Sequence, residues 1–240
     1  MTGTGMTTAA PGAATPPLGV APETASYTLT LDGRFAGTQE WVIRPDRGAL
    51  AVRVQTDFGG ALPAGRTLQE SRFDPQRRRS LGYAEAEGHT RRPHFETLFD
   101  AQSGLVTLRQ GKDEASVPLV QDHQDPVSLL LWLRSPPWDS SGPEAGGVAR
   151  LVGGTVQVLP LPQRDGGEVA GIPARGYLLR PGGIIAWVER EAPHRLLHLQ
   201  QPSELGLLEA RLDLGPSPRS RREEGRSASP ATRPRRRRAG

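Results

Sequence analysis

The chain of 240 residues carries 30 Lys and Arg against 26 Asp and Glu, has no cysteine, and combines 29 Gly and 23 Pro with only 35% apolar residues. The missing cysteine excludes disulfides and thiolate metal sites, and so much Gly and Pro excludes a mainly helical body, because each interrupts the helical hydrogen-bond ladder. No apolar run approaches the roughly eighteen residues of a helical membrane span.

Charge is unevenly divided. Residues 216–240 hold nine arginines against Glu223 and Glu224, a net +7, which leaves −3 on the rest of the +4 chain. Lys112 is the sole lysine, and with abundant Ala, Gly and Pro this bias is the mark of a GC-rich genome rather than of arginine chemistry.

In chain order, residues 1–24 are poor in large apolar side chains and broken by Pro11, Pro16, Pro17 and Pro22. Such a segment buries too little surface to offset the entropy of ordering it, and it is expected to be a disordered arm. It has no basic start and no continuous apolar stretch, so no secretory signal is visible, and the sequence as it stands predicts a cytoplasmic protein.

From Tyr27 the pattern turns to short segments of period-two alternation, the first of them Tyr27, Leu29 and Leu31, with Asp32-Gly33 as a hairpin turn before residues 35–43. Further strands are expected over 49–56, 66–73, 79–86, 94–100 and 105–110, then over 149–152, 155–160, 172–180, 184–189, 195–200 and 207–214, each bounded by turn-forming residues. Between the two runs, residues 125–134 carry the one strong helix signal. Asp125 can cap it, Pro126 suits the first helical position, and Ser135-Pro136-Pro137 stops it. A helix so short and apolar needs a sheet to pack against. Residues 135–147 are expected to be a loop, and residues 215–240 a disordered arginine-rich tail. The fold class is therefore mainly β: a single domain over 25–214, built as a strongly curved antiparallel sheet or partial barrel around one short helix.

The segment Asp125-Pro126-Val127-Ser128-Leu129-Leu130-Leu131-Trp132-Leu133-Arg134, set between two runs of strands, resembles the bacterial family called domain of unknown function 3108. The opening Tyr27 strand with Gly33 and Gly37 before Trp41 is similar to that family too, as is Ile185-Ala186-Trp187-Val188 followed by Pro193-His194-Arg195-Leu196-Leu197. The resemblance implies a curved β-sheet around a short helix, somewhat like the half-barrels of periplasmic lipoprotein carriers, with no established catalytic residues. It also implies export to the periplasm or cell envelope, from which this chain departs in showing no signal and in carrying the arginine tail.

Catalytic and metal chemistry finds little purchase. His194 and His198 share a face at a spacing of four, but no carboxylate stands at ligand spacing, and Pro193 opposes the helix that two-histidine motifs use. His89, His94 and His123 are scattered among turns. Ser128 sits in the first helical turn without a nucleophile elbow, and Gly153-Gly154 and Gly166-Gly167 lack the basic residue and helix of a phosphate loop. Asp125 and Arg134 are expected to serve the two helix ends, and Trp132 and Trp187 to be core aromatics. No cofactor and no metal are implied, and the leading expectation is a non-enzymatic domain. Its apolar groove, walled by Phe35, Trp41, Phe58, Phe73, Leu130 and Trp132, would take a lipid-like ligand or an extended peptide. The alternative is a nucleic-acid or polyanion accessory protein acting through Arg233, Arg235, Arg236, Arg237 and Arg238, which could clamp phosphates but, without aromatics, not stack bases.

Overall fold

A computed structural model that describes residues 20–88, 90, 92–119, 123–134, 146–162 and 167–215 opens with eight successive antiparallel strands, the longer of them marked by apolar alternation. They are β1 (Glu23–Leu31), β2 (Arg34–Asp46), β3 (Ala49–Phe58), β4 (Gly65–Asp74), β5 (Arg79–Glu87), β6 (Phe95–Asp100), β7 (Leu105–Gln110) and β8 (Asp113–Pro118). The short β9 (His123–Gln124) leads into helix α1 (Pro126–Leu133). A second run follows: β10 (Gly147–Leu151), β11 (Gly154–Pro160), β12 (Glu168–Val169), β13 (Ile172–Arg180), β14 (Ile184–Glu189), β15 (Leu196–Ser203) and β16 (Gly206–Leu212).

All belong to one sheet in the order β8-β7-β6-β5-β4-β3-β2-β1-β16-β15-β14-β13-β11-β10-β9, with β12 attached to β13. The two meanders are joined by the first and last strands, which pair antiparallel with Tyr27 opposite Leu212. At the far edge β9 runs parallel to β10, and the Gln124 amide donates to Arg78 O at 2.6 Å, in the corner between β4 and β5. The sheet therefore curls until its last strand meets its fifth, a partial barrel with β6 to β8 running on past the seam.

The concave face is filled. Val127, Leu129, Leu131 and Leu133 of α1 pack with Tyr27, Trp41, Ile43, Val52, Phe73, Tyr177 and Leu179 of the sheet in one continuous core. The helix is held at both ends by charged groups. Asp125 forms a capping box with Ser128: its Oδ1 accepts from the Val127 and Ser128 amides, both at 2.8 Å, while Ser128 Oγ accepts from the Asp125 amide. Asp125 Oδ2 accepts the Ser71 and Ser80 hydroxyls at 2.7 and 2.6 Å, tying the cap to β4 and β5. Burial raises the Asp125 pKa above the usual carboxylate value, opposed by hydrogen bonds from Ser80, the Ser128 amide and Ser71. At the other end Arg134, only 1% exposed, pairs with Glu23 of β1 at 2.6 Å and donates from Nε to His194 O at 2.8 Å.

The structure adjusts several boundaries. The domain begins before residue 25: Val20 is buried in the core, and Glu23 and Thr24 lie in β1, so part of the expected arm is folded. Strands β8, β9 and β12 escaped the sequence pattern. Every residue of β8 is exposed, so no alternation marks it, and the other two are two residues long. Gly147, expected in a loop, opens β10, while residues 135–145 lie outside the described residues.

The cap carries a direct prediction. Asp125→Ala removes an N-cap, worth about 1 kcal/mol, and strands two buried serine hydroxyls and two amides that cost about 1 kcal/mol or more each. Urea denaturation is expected to show a loss of about 3 kcal/mol or more, with Ser71→Ala alone costing about 1 kcal/mol.

Candidate functional site

With the concave face occupied, openings occur on the outer face. Strand register lays two rows across it. One runs Thr24, Val42, Arg53, Glu70, Ala84, Glu96, Arg109 from β1 to β7. The next runs Arg44, Ala51, Arg72, Gly82, Leu98, Thr107 from β2 to β7. Gly82 and Ala84 put almost no side chain on β5, while their neighbours on β4 and β6 are long. The result is a groove of about 760 Å³, with these two residues as floor and Glu70, Arg72, Glu96 and Leu98 as walls. A Cβ on Gly82 would meet its nearest atom outside the adjoining residues, Thr97 O, at 3.5 Å, so the space above the floor is open.

The groove has both signs of charge. Arg72 is paired with Asp46 at 2.9 Å and Arg109 with Glu114 at 2.8 Å. Glu40, Glu70 and Glu96 make no salt bridge among the described residues.

A second, smaller concavity of about 450 Å³ lies on the outer face of β14 to β16, beside the β12–β13 hairpin. Here Trp187 stacks on His198 with ring centroids 4.7 Å apart and planes at 14°. His198 Nε2 is 3.0 Å from Glu209 Oε1, which also accepts from Gln200 at 2.8 Å and Arg211 at 3.2 Å. Burial, then the Arg211 charge, lowers the His198 pKa against the opposing pull of Glu209. Burial works against the Glu209 carboxylate, yet donors from Gln200 and Arg211 hold its pKa below the ordinary value.

The six expected groove residues do not share one open wall. Trp41 and Phe73 are 3% and 0% exposed and belong to the core; Phe58, Leu130 and Trp132 are partly buried against it; Phe35 is 55% exposed on the outer face. None lines the groove. The reason is α1, which fills the face that these side chains would have walled. Trp187 is corrected in the opposite sense: it lies outside the core, half-buried over β15, whereas Trp132 packs against the core beneath the Arg78 guanidinium at 5.3 Å. His194 and His198 do not converge, since His194 Nδ1 lies 3.2 Å from Glu189 O while His198 turns to Glu209. His94 lies 4.0 Å from Glu85, His123 is buried near Phe99, and His89 falls outside the described residues. Ser128 is fully buried in its capping box, and no cluster of three metal-ligating side chains occurs among the described residues. Arg233, Arg235, Arg236, Arg237 and Arg238 lie outside them. The signal that could have located the groove is the alternation on β5, where Gly82 and Ala84 share a face between charged neighbours.

No protein-family model and no curated protein matches the chain. Among solved structures it is similar to a beta-barrel-like protein of domain of unknown function DUF1849 from Brucella abortus, with TM-score 0.52 and 9% sequence identity over 81% of this chain and 97% of that one. At that identity the likeness is one of fold: the chain is a mostly-β, barrel-like domain. No helix among the described residues is long and apolar enough to cross a membrane.

His198 gives a pH dependence. Its folded pKa lies below its unfolded value near 6.5, so in acid the unfolded chain binds the extra proton first. Stability from this group is intact above about pH 6.5 and declines as the pH falls toward the folded value. In urea titrations across this range, wild type is expected to lose stability more steeply than His198→Gln; parallel curves would show that His198 does not titrate in this way.

Proposed function

We propose that the chain is a non-enzymatic binding domain that holds an extended peptide in the groove across β2 to β7. The observation behind this reading is the groove itself: a long trough floored by Gly82 and Ala84 and edged by side chains of both signs. A lipid-like ligand would leave the charged ends of Arg44, Arg53, Glu70 and Glu96 without partners beside the apolar Val42 and Leu98. An extended peptide presents side chains of alternating direction, and its charged groups can meet Arg44, Arg53, Glu70 and Glu96 while its small residues rest on the floor. The resemblance to domain of unknown function 3108 implies a place in the cell envelope.

Selection from a displayed library of random peptides against the full chain tests the reading. Recovered peptides are expected to lose about tenfold or more in affinity for Ala84→Trp, which fills the trough from an outward-facing position, and to bind Trp187→Ala as they bind wild type. Absence of any enriched sequence, or equal binding to Ala84→Trp, would refute it.

A further inference from the structure

Strand β8 ends the sheet with one neighbour, β7, and among the described residues no strand pairs with its other side. Which of its backbone groups stay open follows from the hairpin. Gln110 pairs with Asp113 across the two-residue turn Gly111-Lys112, and at the far end the Leu119 amide donates to Gly104 O at 2.8 Å. Counted in twos from either end, Asp113, Ala115, Val117 and Leu119 turn their backbone groups to β7, so Glu114, Ser116 and Pro118 turn theirs outward. Proline has no N–H, and the edge therefore offers the amides of Glu114 and Ser116 and the carbonyls of all three.

Those groups are self-complementary. With a second copy laid antiparallel and Ser116 opposite Ser116, each Ser116 amide meets the other's Ser116 carbonyl and each Glu114 amide the other's Pro118 carbonyl. Every open donor on both edges is used. Charge on an edge strand ordinarily deters such pairing. In this register, however, the two Glu114 carboxylates stand four residues, about 13 Å, apart along the strands, each opposite a proline. Each is also held by Arg109 of its own copy at 2.8 Å. A register moved by one residue, with Ala115 on the axis, makes as many bonds but sets the two Glu114 side chains as diagonal neighbours. On the other face of β8, Val117, 38% exposed beside the fully buried Val106, comes to lie opposite Ala115 of the second copy.

From this match we propose that β8 pairs antiparallel with β8 of a second copy about a two-fold axis at Ser116, joining two domains into one continuous sheet. The inference is independent of peptide binding. It sets the two grooves on one face, with the row Leu98, Thr107, Ser116 of one copy running into that of the other.

Sedimentation equilibrium of the full chain is expected to give a mass that rises with concentration from 25.8 kDa toward twice that value. Ser116→Pro removes the two bonds at the axis, and in the single chain that amide faces solvent, so dimerisation is expected to weaken about tenfold or more while circular dichroism stays as in wild type. Val117→Lys, which sets a charge against Ala115 of the second copy, is expected to do the same and decides the matter should Ser116→Pro fail to fold. Because the chain has no cysteine, Ser116→Cys supplies a single thiol. Its Cα atoms come about 5.5 Å apart across the axis, so a disulfide dimer is expected on oxidation, and none from Glu114→Cys. A mass of 25.8 kDa at every concentration up to millimolar, or a dimer that Ser116→Pro and Val117→Lys leave intact, overturns the proposal. Cross-linking through Glu114→Cys as fast as through Ser116→Cys overturns it too. A monomeric chain whose selected peptides lose affinity with Ser116→Pro would assign the edge to an extended peptide instead of a second copy.

Discussion

A buried carboxylate organises this fold. An uncompensated charge in the interior would be prohibitive, so the site of Asp125 exists only because four donors converge on it: two amides of the helix it caps and the hydroxyls of Ser71 and Ser80. Those serines belong to β4 and β5, so satisfying the carboxylate also fixes where the helix starts. Arg134 repeats the device at the other end, with Glu23 and His194 O as partners. An eight-residue helix is marginal by itself. Anchored at both ends, it becomes the plug around which both meanders close.

That plug decides where recognition can occur. The concave face of a half-barrel is the usual place to look for a ligand, but here it is filled by the helix and the inward side chains of the sheet. The outer face then carries the openings, and its two halves differ. On β2 to β7, small residues on β5 sink a trough between charged neighbours. On β13 to β16, the sequence sets Gly176, Trp187, His198 and Arg211 in register, and an indole and an imidazole stack across the strands. Gly176 belongs to the same packing, since a Cβ there would meet Leu161 at 2.8 Å and Trp187 Nε1 at 3.2 Å.

Much of this was legible from the residues. Period-two alternation located the long strands because each has one face in the core, and the Asp125-Pro126 start with the Ser135-Pro136-Pro137 stop bounded the helix within a residue. Strand β8 was hidden because both of its faces are exposed, leaving no contrast to read. The groove was misplaced for a related reason. Alternation tells which residues share a face, but not which face the helix will cover, and large aromatics such as Trp41 and Phe73 suit a ligand wall and a core equally well. Trp187 shows the converse error, an aromatic assigned inward by type that its parity with Ile185 places outward.

Strands β1 and β16 meet across nearly the whole sequence, while almost every other pairing in the sheet joins strands close in the chain. The local hairpins can form as soon as they are synthesised, but the seam between the two meanders must wait for Leu212. Until then β1 presents an unpaired edge carrying Tyr27 and Leu29, the kind of template to which other extended chains add. During synthesis the first meander thus has open edges at both β1 and β8, and the first of these is the one that is later covered. The last strand made is therefore the one that removes the aggregation hazard created by the first.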